Sequence, residues 1–226
     1  ATALLACVVV LAACQHAPTQ PVDHAPAAVS PLRPSGTHAA GVAAASPLAV
    51  EAGVAVLKAG GSAVDAAVAV QAALGLVEPQ SSGLGGGAFL LHYDAATGKV
   101  TAYDGRETAP AGATPDMFLD DDGNPLPYAD AVTSGRSTGA PGVMAMLGLA
   151  HERHGVLPWS SLFDTATEAA DAGFIVPKRL ARFANSQFRQ ATLADARALF
   201  GKPDGTTAQA GETLRNPAYA ATLRTL

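Results

Sequence analysis

An arginine between two carboxylates is the feature of this sequence with the clearest chemical potential. Arg106 follows Asp104 and precedes Glu107, directly after Lys99–Asp104, whose pattern predicts a strand. A guanidinium presents a planar fork that binds a carboxylate through two parallel hydrogen bonds, which a lysine ammonium does not offer. From these residues alone, two interpretations stay open: Arg106 binds an acidic ligand at a sheet end, or it forms a surface ion pair with its neighbours.

Three short motifs suggest other chemistry, but each lacks the structural context that the chemistry needs. Gly83, Gly85 and Ala88 have the spacing of a dinucleotide fingerprint, yet a predicted strand follows them instead of a helix. Gly135–Gly139 has the G-x-S-x-G form of a nucleophile elbow, but no strong strand precedes it, and no His follows Asp164 or Asp171, as the order of a catalytic triad would require. The two histidines of His151–His154 are one residue too close for a zincin helix. We therefore expect no bound nucleotide, no metal and no cofactor.

The composition indicates a folded, mildly acidic protein. The 226 residues include 14 Lys and Arg against 19 Asp and Glu, which gives a formal net charge of -5, and 49% are hydrophobic. That apolar fraction argues against wholesale disorder, and the length is sufficient for a buried core. Because no basic stripe is present, we expect no nucleic-acid partner.

The N-terminal residues predict an export signal. Residues 1–14 are an uncharged apolar run, too short to span a bilayer as a helix, that ends in the lipobox-like Leu11–Cys14. This pattern predicts lipidation of Cys14 and a periplasmic or cell-envelope lipoprotein held to the membrane by its lipid anchor alone. An ordinary signal peptide with an incidental cysteine is the alternative. Residues 15–36 contain five prolines and predict an extended tether.

Residues 37–226 combine an α/β pattern with a helical second half. Proline, glycine and capping residues mark most of the predicted boundaries. Ser62–Asp65 has the form of a capping box, and the helix that follows is apolar on nearly every side, which is typical of a buried helix. The predicted elements are a strand at 41–46, helices at 47–59 and 63–76, strands at 88–93 and 99–104 joined by a hairpin loop, a surface turn at 120–125, and helices at 141–154, 159–172, 177–188 and 193–200.

The predicted strands are too few for an independent sheet. A two-stranded hairpin needs further strands or a helical cover to be stable. Asn216 and Pro217 predict the start of a last helix, and no C-cap is predicted for this helix before Leu226. We therefore expect an incomplete chain, the N-terminal part of a larger α/β protein.

Five motifs in a fixed order resemble one known family. Residues 38 to about 181 resemble the N-terminal region of the large subunit of the gamma-glutamyltranspeptidases, or glutathione hydrolases. The resemblance implies the αββα sandwich of the N-terminal-nucleophile hydrolases, a mixed α/β fold of which only the first portion is present. The motifs that carry it are AASPLA at 44–49, GGSAVDAAVA at 60–69, VEPQSSGLGGG at 77–87, DGRETAP at 104–110 and GAPG at 139–142.

The resemblance also implies a chemistry. Such precursors cut themselves and expose a Thr whose hydroxyl attacks the γ-glutamyl carbonyl, with its own α-amine as base. Glutathione is the expected donor, and an amino acid, a peptide or water is the acceptor. Thr206-Thr207 precedes Ala208 where the family's processing site has His. We therefore expect the nucleophile in a small subunit beyond Leu226, and this fragment alone to be inactive.

Arg106 is the one ligand residue that the resemblance assigns. It matches the family arginine that holds the α-carboxylate of the substrate, and Asp104 and Glu107 would orient it as supporting residues. Two alternatives stay open: a related acylase acting on another amide, and a non-catalytic exported lipoprotein that binds an amino-acid-like ligand.

Overall fold

The computed structural model of the protein describes residues 40–226. These residues form helices packed around a central helix, with one hairpin and one very short second sheet. The helices are α1 (Pro47–Lys58), α2 (Ala63–Val77), α3 (Tyr128–Thr133), α4 (Val143–His154), α5 (Asp164–Ala172), α6 (Lys178–Ala184), α7 (Arg189–Thr192), α8 (Ala194–Phe200) and α9 (Pro217–Leu223); the strands are β1 (Ala88–Asp94), β2 (Lys99–Gly105), β3 (Phe174–Ile175) and β4 (Thr213–Leu214); and 3-10 turns cover Gly135–Ser137 and Trp159–Phe163.

The central helix α2 begins at the predicted capping box. Ser62 Oγ accepts the Asp65 N–H at 3.1 Å, and Asp65 Oδ2 accepts the Ser62 N–H at 2.8 Å. Two otherwise unpaired donors of the first turn are thereby satisfied. The helix is buried on most of its surface, which confirms the prediction from its apolar pattern.

Small side chains let neighbouring helices approach α2 closely. Helices α1, α4 and α5 and the second 3-10 turn all contact it. Full burial of one Val or Leu side chain contributes about 1.5–3 kcal/mol, so this shared interior is the main source of stability here. Its fully or nearly fully buried members on α2 are Val64, Ala66, Val68, Ala69, Ala72, Ala73, Leu76 and Val77.

A tyrosine joins α9 to the central helix. The Tyr219 hydroxyl donates to the Ala72 carbonyl at 2.8 Å, and a Cβ at Gly75 would lie 2.3 Å from that hydroxyl oxygen. Gly75 is therefore required for this close approach. Burial raises the pKa of the Tyr219 phenol well above its ordinary value. Asn216 caps α9 as predicted, because its Oδ1 accepts the Tyr219 N–H at 3.0 Å.

The predicted hairpin is confirmed. Strands β1 and β2 pair antiparallel, with Ala88 opposite Gly105 and Asp94 opposite Lys99, and the turn between them uses Gly98 at a φ of 69°. Strand β2 contacts α4, where the Tyr103 ring is buried. The opposite face of the hairpin is apolar and exposed.

A buried carboxylate ties α2 to a distant loop. Besides capping α2, Asp65 Oδ2 accepts the N–H groups of Val156 and Leu157 at 3.0 and 3.2 Å. The other oxygen, Oδ1, lies 3.5 Å from His151 Nε2. Burial alone would raise the pKa of Asp65, but the hydrogen bonds from Ser62, Val156 and Leu157 outweigh it and hold the pKa below the ordinary 3.8.

Several predicted elements differ in the structure. Residues 41–46 form no strand: the only ladders within 40–226 are those of β1–β2 and β3–β4, and Val42 instead packs beside Gly53 of α1. The second half is not wholly helical, because β3 and β4 pair there. Two-residue strands are too short to show an alternating pattern, which explains why sequence analysis missed them.

Several helices also begin or end at other residues than predicted. The stretch predicted as one helix from Trp159 begins as a 3-10 turn, and α6 ends at Ala184 instead of 188. Helix α9 does not continue at Leu226. It ends at Leu223, where the Arg224 N–H donates to the Ala220 carbonyl and the Thr225 N–H donates to the Thr222 carbonyl. Apolar periodicity locates helices well but fixes their ends poorly, since the last turn depends on local hydrogen bonds.

The predicted signal peptide with its lipobox, residues 1–14, and the predicted tether, residues 15–36, lie outside the described residues. Within 40–226, no helix combines the length and apolar character needed to cross a membrane.

We predict that Asp65→Asn destabilises the protein by about 2 kcal/mol at pH 7, because a charged acceptor of three backbone N–H groups is lost. Since the pKa of Asp65 is lowered, the carboxylate stabilises the fold fully above pH 3.8, and this contribution disappears as the pH falls through the lowered pKa. Urea unfolding at pH 7 and at pH 3 measures both effects. Asp122→Asn, at an exposed turn, is the control; equal stability of the two variants at pH 7 would contradict the prediction.

Candidate functional site

Arg106 lies at the point where β2 ends. Its backbone N–H donates to Asp104 Oδ1 at 2.9 Å, which turns the chain out of the strand. Two residues later, Thr108 and Ala140 exchange backbone hydrogen bonds of 3.3 and 2.8 Å. Arg106 is therefore fixed on both sides, by the end of the hairpin and by a bridge to the segment before α4.

The glycine-rich loop at 83–87 packs against this segment. The Gly86 carbonyl accepts the N–H groups of Gly142 and Val143, both at 3.2 Å, and so satisfies donors at the N-terminus of α4. A Cβ at Gly87 would lie 2.5 Å from Glu107 Oε2 and 2.7 Å from the Glu107 backbone nitrogen. The loop thus provides close backbone approach, as its glycine content predicts.

Glu107 orients the guanidinium of Arg106. Arg106 Nη1 donates to Glu107 Oε2 at 2.6 Å, and the side chains are 65% and 30% exposed. An ion pair this exposed contributes at most about 1 kcal/mol to stability. Within 40–226, the Nε and Nη2 donors of Arg106 have no hydrogen-bond partner. This side-on edge of the guanidinium is the one suited to a two-pronged carboxylate contact.

Arg106 and Glu107 lie on the walls of two adjoining cavities. One encloses about 510 Å³ and is also lined by Met117, Phe118 and Arg136. The other has a volume of about 620 Å³ and is lined mainly by residues 79–88, which include the glycine-rich loop. Both volumes are in the range of small-molecule sites. The two interpretations of Arg106 left open by the sequence are compatible in this geometry, since the side chain is ion-paired and also faces concave surface.

Asp104 and Glu107 contact Arg106 in different ways. Asp104 binds its backbone, whereas Glu107 binds its guanidinium. The sequence shows that both acids are close to Arg106, but it does not show which one binds the backbone and which one binds the guanidinium. It did not identify Arg136 as a residue of the same cavity, because 30 positions separate the two arginines and the Thr108–Ala140 bridge between their segments has no local sequence pattern.

The histidine pair on α4 has packing roles. His151 Nε2 lies 2.9 Å from the Leu157 carbonyl oxygen, and His154 Nε2 lies 2.7 Å from the Tyr103 hydroxyl. The His154 ring also stacks on His92 at 3.8 Å. Both histidines are half-buried by these contacts, whereas Glu152 and Arg153 between them are exposed. Among the described residues, no group of three or more His, Cys, Asp or Glu is arranged to hold a metal ion.

The remaining nucleophile candidates have local structural roles. Gly135–Ser137 is a 3-10 turn that follows α3, so a helix stands where a nucleophile elbow needs a strand. Thr207 is buried, and its hydroxyl donates to Asn185 Oδ1 at 2.6 Å. Thr207 thus contributes to packing between the end of α6 and the loop after α8, whereas its neighbour Thr206 is exposed and donates to Asp204 within that loop.

The sequence matches a family model described as gamma-glutamyltranspeptidase over residues 49–226. It is 41% identical over 183 residues to the glutathione hydrolase proenzyme of Bacillus subtilis (strain 168), an alignment that covers 81% of this chain and 31% of that protein. It is 46% identical over 140 residues to the glutathione hydrolase proenzyme of Escherichia coli (strain K12), covering 62% of this chain and 24% of that protein. The chain therefore spans about a third or less of the length of these relatives.

The structure is similar to a crystal structure of Helicobacter pylori gamma-glutamyltranspeptidase. The TM-score is 0.76 at 33% sequence identity, and the match covers 83% of this chain and 54% of that chain. This similarity confirms the predicted fold class, a mixed α/β fragment of the N-terminal-nucleophile hydrolase type.

We predict that Gly87→Ala lowers stability by about 1–3 kcal/mol, since the added methyl collides with the Glu107 backbone and must displace the segment that carries Arg106. Thermal unfolding measures the loss. The control is Gly83→Ala, where an added Cβ meets nothing within 4 Å. Comparable melting temperatures for the two variants would show that the loop is not tightly packed against Glu107.

Proposed function

This chain belongs to the gamma-glutamyltranspeptidase family, and we propose that it forms the N-terminal part of the large subunit of an enzyme that transfers or hydrolyses the γ-glutamyl group of glutathione and related amides. In this proposal Arg106 binds the α-carboxylate of the γ-glutamyl substrate. The main observation that supports this role is the geometry of Arg106. Its backbone is held by Asp104 and its guanidinium by Glu107, and the Nε and Nη2 donors have no hydrogen-bond partner in 40–226. Cavities on either side provide room for a ligand.

The supporting residues fit the same role. Glu107 restricts the rotation of the guanidinium, so less side-chain entropy is lost when a carboxylate binds. Asp104 fixes the backbone from which the side chain extends. Neither occupies the side-on edge.

The nucleophile in this proposal is a Thr at the new N-terminus of a small subunit, encoded downstream of Leu226. Its hydroxyl attacks the γ-carbonyl and forms an acyl-enzyme, and the leaving amine takes up the proton held by the threonine amine. Water or an acceptor amine then releases the glutamyl group. The greater length of the relatives supports this arrangement, and an isolated 1–226 fragment is expected to be inactive.

The exposed face of the hairpin supports a partner in the same polypeptide. Four large apolar side chains of the hairpin are each at least 64% exposed: Phe89, Leu91, Tyr93 and Val100. They alternate with inward-facing residues, and apolar side chains on both faces are typical of a strand that is packed on both faces. Such a contiguous apolar surface is unusual on a free protein. We propose that the small subunit covers it.

We predict that Arg106→Ala in the full-length, matured protein raises KM for glutathione by about 10- to 100-fold, the effect of losing a charged hydrogen-bonding partner of roughly 1.5–3 kcal/mol. Steady-state kinetics give the result. Arg182→Ala, which removes an exposed arginine of α6, is the matched control. Unchanged kinetics in Arg106→Ala would remove this residue from the site.

Export and anchoring are a separate part of the proposal, based on the lipobox-like sequence before Cys14. We predict that Cys14→Ser abolishes metabolic labelling with a fatty acid and moves the protein from the membrane fraction to the soluble fraction. Cys7→Ser should leave both unchanged. Labelling that persists in Cys14→Ser would contradict lipidation at this residue.

A further inference from the structure

We propose that Arg136 is a second anion-binding residue of the cavity that contains Arg106, and that it recognises the carboxylate at the far end of a γ-glutamyl peptide. This proposal rests on the proposed function and extends it, because it names a substrate class: γ-glutamyl peptides with a free C-terminal carboxylate, as distinct from γ-glutamyl amides that lack one.

The first observation is the way Arg136 is held. Its Nη1 donates to the carbonyls of Met117 and Leu119, at 3.1 and 3.2 Å. Met117 is itself part of the cavity wall. The guanidinium is thus fixed to the loop that lines the cavity, instead of extending freely into solvent. Fixing an arginine in advance reduces the entropy lost on binding.

The second observation is the set of donors that remain. An arginine has five N–H donors, and the two carbonyl contacts use those of Nη1. No hydrogen bond or ion pair from Nε or Nη2 of Arg136 occurs among residues 40–226. The Nε and Nη2 donors of Arg136 therefore remain for a ligand, and they form the same side-on edge of the guanidinium as at Arg106. Both arginines line the same cavity.

The third observation is the charge of the cavity. Arg106 is paired with Glu107, but Arg136 has no acidic partner within the described part of the chain. The other lining residues are uncharged, so the cavity carries a net positive charge in a chain whose formal charge is -5. A concave surface of one sign attracts ligands of the opposite sign.

Together these observations match a ligand with two separated acids. A γ-glutamyl peptide has an α-carboxylate at its glutamyl end and another at its C-terminus. A cavity of about 510 Å³ accommodates a tripeptide of this kind. With the α-carboxylate on Arg106, Arg136 is the cation available for the second acid.

The test compares glutathione with its glycyl ethyl ester in the full-length, matured enzyme. The two substrates differ only at the distant carboxyl group, which the ester converts into an uncharged and slightly larger group. In the wild type we expect KM for the ester to be about tenfold higher than for glutathione, the effect of one partly exposed charged hydrogen-bonding contact. In Arg136→Gln, KM for glutathione should rise to the ester's value, whereas KM for the ester should stay within about twofold.

Two control variants separate binding from structure. Arg182→Gln removes the same charge from α6 and should keep the wild-type preference for glutathione. Arg136→Lys keeps the charge without the fork and should retain only part of that preference. Equal KM values for acid and ester in the wild type would overturn the proposal. A rise of both KM values in Arg136→Gln, with the preference intact, would also overturn it and assign Arg136 to support of the 117–119 loop.

Failure of this inference is distinguishable from failure of the proposed function. If Arg106→Ala leaves the kinetics of both substrates unchanged, the assignment of the α-carboxylate site is wrong. The proposed role of Arg136 is then refuted as well. If Arg106→Ala impairs both substrates while Arg136→Gln changes neither, only the second site is refuted.

Discussion

The contact between the glycine-rich loop and the end of β2 determines where Arg106 lies. The Gly86 carbonyl binds the N-terminus of α4, and Gly87 leaves no space beside Glu107 for a side chain. The same few residues therefore join a loop, a strand and a helix. Because Glu107 is held between them, the arginine that it orients is held as well.

This junction depends on the helical layer behind it. Helix α4 contacts both β2 and the central helix α2, and the loop that follows α4 is fixed to α2 through the buried Asp65. The hairpin is also linked to α4 through the Tyr103 hydroxyl and His154. A hairpin alone is marginally stable, so its position relative to the site comes from these contacts and not from its own ladder.

Sequence analysis succeeded where the determinants are local. The capping box at Ser62–Asp65, the β1–β2 hairpin and the place of Arg106 at a strand end all follow from residues within a few positions of each other. It failed where the determinants are distant. The contact of Asp65 with Val156 spans 91 positions, and the bridge of Thr108 to Ala140, which brings Arg136 to the cavity, has no local pattern.

The ion pair of Arg106 with Glu107 helps the proposed site instead of competing with it. If Glu107 occupied the side-on edge, a substrate carboxylate would have to displace a carboxylate already in place. Glu107 instead uses Nη1, so a ligand adds hydrogen bonds without breaking that pair. The cost is electrostatic, because two acids then share one cation. A second cation in the same cavity, Arg136, offsets that cost for a substrate with two acids, which is why the two arginines are best understood together.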